Sequence, residues 1–64
     1  MPFIVTKKGV VLTVTGNTIM CSDGKLYTYM ETCGMLSGPC TSYNVKSMEE
    51  AIGIVIGLYG GKTL

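Results

Sequence analysis

Hydrophobic and polar residues follow a period of two in the stretches 10–15 and 25–30, and a helical period after Lys46. Val10, Leu12 and Val14 share one side of a strand, with Val11, Thr13 and Thr15 on the other. Leu26, Thr28 and Met30 alternate in the same way against Tyr27 and Tyr29. Phe3 to Thr6 is aromatic and β-branched, and Tyr43 and Val45 share a side of a short late segment. The spacing predicts strands over about 3–7, 10–15, 18–21, 25–30 and 41–45, and a helix over about 48–59. Between the strands lie turn residues. Lys7-Lys8-Gly9 ends the first, Gly16-Asn17 suits a two-residue hairpin, and Asp23-Gly24 is a second hairpin signal. Glu31 to Pro39, with two glycines, a serine and a proline, reads as an irregular surface loop.

The helix has a defined start and stop. Ser47 and Glu50 have the spacing of a capping box, and Gly60-Gly61 supplies a residue able to turn left-handed at the end. At about 100° per residue, Met48, Ala51, Ile52, Val55, Ile56, Leu58 and Tyr59 fall on one broad arc. Ile54 flanks that arc, and Glu49, Glu50, Gly53 and Gly57 occupy the other side. An antiparallel sheet with one wet and one dry face needs a cover, and this helix is the one available. The expected fold is therefore α+β: a small antiparallel β-meander of four to five strands packed against one C-terminal helix. Closure of the strands into a small SH3- or OB-like barrel, with the helix plugging one end, is the alternative.

Sixty-four residues suffice for one domain spanning 1–64, and a core this small often gains stability by association. Only 14% of residues are charged, against roughly 25% in an average soluble domain, and the net charge is +1. The five lysines are scattered and there is no arginine. Nucleic-acid binders gather such residues into a patch, so that partner class is disfavoured. The start of the chain lacks the pattern of an export signal. The uncharged run from Ala51 to Tyr59 is about half the roughly 20 residues a bilayer helix needs. A cytoplasmic location, with no membrane partner, is expected.

Catalytic chemistry finds little support. Histidine is absent, and Asp23, Glu49 and Glu50 already have turn or cap duties. General acid–base work needs groups that converge on one spot. Cys21, Cys33 and Cys40 are an odd set whose spacing matches no zinc motif, so they read as free thiols, and no metal or cofactor is expected. Proximity alone leaves a Cys33–Cys40 bridge open. Gly60-Gly61-Lys62-Thr63 resembles the tail of a phosphate loop, but it closes a helix where a phosphate loop opens one.

What remains is surface. Gly53 and Gly57, four residues apart and flanked by Ile54, Glu49 and Glu50, would form a smooth groove where another backbone can approach. Tyr27, Tyr29 and Tyr43 would offer rigid contact area if exposed, or cross-strand pairing if not. Met35 and Leu36 would form either an interaction knob or a cap on the core. The expected function is a small non-enzymatic protein-interaction module, such as a phage or mobile-element accessory or inhibitor protein, working as a homodimer or on another protein. The alternative is a small β-sheet nucleic-acid-binding protein using exposed tyrosines and lysines.

Overall fold

The computed structural model describes residues 3–39 and 41–63. Six strands and one helix follow in chain order: β1 Phe3–Val5, β2 Val11–Thr15, β3 Thr18–Cys21, β4 Leu26–Met30, β5 Met35–Ser37, β6 Ser42–Asn44 and α1 Met48–Leu58. Every strand pairs antiparallel with the next, giving one sheet in the order β1-β2-β3-β4-β5-β6. The fold is thus an α+β meander with a C-terminal helix, as the residue pattern predicts. It has six strands where four to five were expected.

The extra strand is β5, in the segment read as a loop. Leu36 anchors it, pairing with Tyr29 on one side and Tyr43 on the other, fully buried. Gly34, at φ 62, makes the preceding turn possible, with its amide donating to the carbonyl of Glu31. A three-residue strand between two glycines is too short for alternation to reveal.

The turns carry out their local chemistry. Gly16 at φ 59, followed by a residue of ordinary φ, fits the type II′ geometry that matches strand twist. The Asp23 carboxylate accepts from the amide of Lys25 at 3.1 Å, which holds the β3–β4 turn. At the helix start the Ser47 hydroxyl accepts from the Glu50 amide at 3.2 Å. At its end the amides of Gly61 and Gly60 donate to the carbonyls of Ile56 and Gly57, the paired bonds of a Schellman motif. The chain then runs back along the outer edge of β1. Lys7 donates to the Gly61 carbonyl, and both the amide and the hydroxyl of Thr63 donate to the Val5 carbonyl.

The core lies between sheet and helix. Leu12, Ile19, Tyr27, Tyr29 and Leu36 are buried on one face of the sheet, and Ala51, Val55 and Tyr59 recur every four residues along the helix to meet them. Tyr27 and Tyr29 therefore point inward, and their neighbours Leu26 and Met30 face out. The prospect of Tyr27 and Tyr29 as exposed contact area is corrected. Register decides it: Tyr27 pairs with the fully buried Ile19, and Tyr29 with the fully buried Leu36.

Candidate functional site

Because successive strand residues point to opposite faces, the inward set fixes the outward one. One outward row crosses four strands as Phe3, Thr13, Met20 and Leu26. Phe3, Met20 and Leu26 are 63%, 52% and 50% exposed, so three large apolar side chains stand in water along this row, with Thr13 between Phe3 and Met20. The next row crosses five strands as Thr15, Thr18, Thr28, Ser37 and Ser42, a ladder of hydroxyls. Val5 and Val11 lie beyond the first row, and Met30, Met35 and Asn44 beyond the second. No charged residue occurs in any strand. The five lysines and four carboxylates sit in turns, at the helix start or in the tail. Soluble sheets commonly put charge on the wet face, so a six-stranded face without any is unusual.

A second feature lies at the other end of the core. Lys25, Tyr27, Pro39, Thr41, Tyr43, Leu58 and Tyr59 line an open cleft of about 250 Å³. Tyr59 is its structural anchor. Its hydroxyl donates to Asp23 Oδ2 at 2.7 Å, tying the end of the helix to the β3–β4 turn. Burial, and then the bond to Asp23, push the Tyr59 phenol far above its ordinary value. The same bond, followed by the amide of Lys25, holds Asp23 below the ordinary carboxylate value. Burial raises the neighbouring Cys21 thiol. Lys25 Nζ lies 6.0 Å from the centre of the Tyr59 ring, at the outer limit of a cation–π contact. Asp23 accepts from both the Tyr59 hydroxyl and the Lys25 amide.

The helix side opposite the core is open. Gly53 and Gly57 are exposed, and a Cβ added at either would meet nothing within 4 Å. Glu49 and Glu50 are exposed beside them, and Ile54 is half-buried. These residues do lie on one face, as the helical spacing requires. Tyr43 is half-buried in the cleft, Met35 is half-buried on the outer sheet face, and Leu36 is in the core, where it cannot act as a knob. Cys21 and Cys33 are free thiols, buried and exposed respectively. Cys40, and with it any Cys33–Cys40 bridge, lies outside the described residues. Among the described residues no group of three or more His, Cys, Asp or Glu side chains could hold a metal ion, and no helix is long and apolar enough to cross a membrane.

Sequence reasoning missed the outer face. Part of its signal was present: every charge except Lys7 and Lys25 falls outside the predicted strands, and the observed strands exclude those two as well. Reading it required knowing which set of each strand faces outward. No protein-family model matches the chain, and no curated protein or solved structure is significantly similar to it.

Proposed function

We propose that this chain is a non-enzymatic protein-interaction module whose working surface is the uncharged outer face of the sheet. The row of Phe3, Met20 and Leu26, at least half exposed and flanked by hydroxyls, carries this reading. Contiguous exposed apolar surface is a mark of protein contact sites, whose centres are depleted in charge. Hydroxyl ladders serve such a surface, since each hydroxyl both donates and accepts. A cytoplasmic setting accords with the free thiols Cys21 and Cys33. The nucleic-acid reading is weakened, because Tyr27 and Tyr29 lie in the core and the outer face lacks the cations that phosphates require.

A photo-crosslinking residue placed at Leu26, with a control at Lys8 in the β1–β2 turn, tests the reading. Adducts to protein are expected from Leu26 and not from Lys8. Adducts from neither position, or adducts to nucleic acid that vanish with salt, would overturn it.

A further inference from the structure

We infer that the free edge of β6 binds an extended, acidic peptide segment of another protein as an added antiparallel strand, seating one aromatic side chain of that segment in the cleft beside Tyr43. This edge is separate from the outer face, so its occupancy does not depend on the reading of that face. The two edges of the sheet differ. The outer edge of β1 is closed by the chain's own tail, where Lys62 bridges to Thr6 and Thr63 donates to the Val5 carbonyl. β6 ends the sheet on the other side. The Val45 amide donates to the Gly34 carbonyl and the Gly38 amide to the Thr41 carbonyl, so in this register Tyr43 and Leu36 form a bonded pair. Bonded and non-bonded pairs alternate in an antiparallel ladder, which points the amides and carbonyls of Ser42 and Asn44 away from β5. Both residues are exposed, and among the described residues nothing bonds those backbone groups. β6 is Ser-Tyr-Asn, without the lysine or proline that commonly guards an exposed edge. Open backbone donors and acceptors at strand spacing are matched by another extended chain.

The cleft selects the side chain. Residues paired across strands share a face, so the added residue opposite Tyr43 points to the inner side, where Tyr43 lines the cleft with Tyr27, Leu58 and Tyr59. At about 250 Å³ the cleft falls short of the roughly 300 Å³ at which small-molecule pockets begin, and it suits one large side chain. Three phenol rings favour an aromatic one, through offset or edge-to-face contact. Charge sets its surroundings. Lys25 is the one charged residue lining the cleft, and Lys46 follows β6, both exposed, so acidic residues beside the aromatic are attracted and basic ones repelled. Residues two positions to either side of the aromatic share its face, and acids belong there.

The test is a titration of the isotope-labelled full chain with end-blocked heptapeptides Ser-Glu-Thr-X-Thr-Glu-Ser, where X is Phe, Tyr, Trp or Ser, followed by amide shifts and hydrogen exchange. An aromatic peptide is expected to shift the amides of Ser42 and Asn44, slow their exchange, and move the ring signals of Tyr43. Serine at X is expected to weaken binding about tenfold or more. N-methylation of both threonines, which removes the N–H groups facing Ser42 and Asn44, should weaken it by a similar factor, as should lysine in place of both glutamates. All of these changes lie in the peptide, so no variant of the chain has to fold. The inference is overturned if no aromatic peptide binds at millimolar concentration, or if the serine, N-methylated or lysine peptide binds as tightly. Shifts gathered at Met20 and Leu26 also overturn it, while keeping the reading of the outer face. Shifts of Ser42 and Asn44 with chain concentration alone would assign the edge to a second copy and overturn it too.

Discussion

The phenol of Tyr59 donates to the carboxylate of Asp23 at 2.7 Å, joining two positions 36 residues apart. Tyr59 caps the helix and Asp23 shapes the β3–β4 turn, so this bond fastens the single helix to the meander it covers. The two groups perturb each other in opposite directions, and stability should record it. Asp23 is held below its unfolded value of 3.8, so its contribution is full above that pH and is lost as pH falls from there through the folded value. Tyr59 is raised above 10.0, so its contribution is full below that pH and declines as pH climbs past it. Thermal midpoints measured against pH should fall at both ends. Asp23→Asn should flatten the acid limb and leave much of the alkaline one, since burial is the larger cause of the Tyr59 shift. An acid limb unchanged in Asp23→Asn would show that the bond does not contribute.

Leu36→Ala tests the strand hidden in an apparent loop. Leu36 is fully buried between Tyr29 and Tyr43, and truncation should cost about 2–5 kcal/mol in urea unfolding. A true surface loop would lose less than about 0.5 kcal/mol.

Two glycines should respond oppositely to alanine. A Cβ at Gly38 would lie 2.6 Å from Cε2 of the buried Tyr27 ring, so Gly38→Ala should cost about 1–3 kcal/mol by forcing ring or loop to move. Gly53 is helical and opens onto empty space, so Gly53→Ala should stabilise by about 1 kcal/mol. Denaturant midpoints of the two variants against wild type decide both. A neutral Gly38→Ala would mean the loop yields freely.

Ser47→Ala removes the acceptor for the Glu50 amide and should lower stability by about 1 kcal/mol. Ser47→Asp should recover most of it, because aspartate caps equally well and its charge suits the helix start. Failure of Asp to rescue would assign the loss to something other than capping.

Local chemistry made much of the fold legible. Gly16-Asn17 and Asp23-Gly24 turned the chain where expected, and Ser47 and Gly60 bounded the helix. These features depend on a few adjacent residues, so no distant partner can easily change them. The alternation in β4 likewise gave its two sets, Leu26, Thr28 and Met30 against Tyr27 and Tyr29. It could not say which set is dry, because leucine and tyrosine each suit either side of a half-buried sheet.

The sequence by itself determined the class of fold, the hairpin turns and the helix limits. Tertiary structure alone decided the phase of β4, the existence of β5 and the composition of the outer face. Each of these depends on cross-strand register and on which side the helix covers, and both are set by contacts between residues far apart in the chain. A period of two fixes alternation but not sign. Only the packing of Val55 and its neighbours over Ile19, Tyr27 and Leu36 supplied the sign, and it left Phe3, Met20 and Leu26 facing outward.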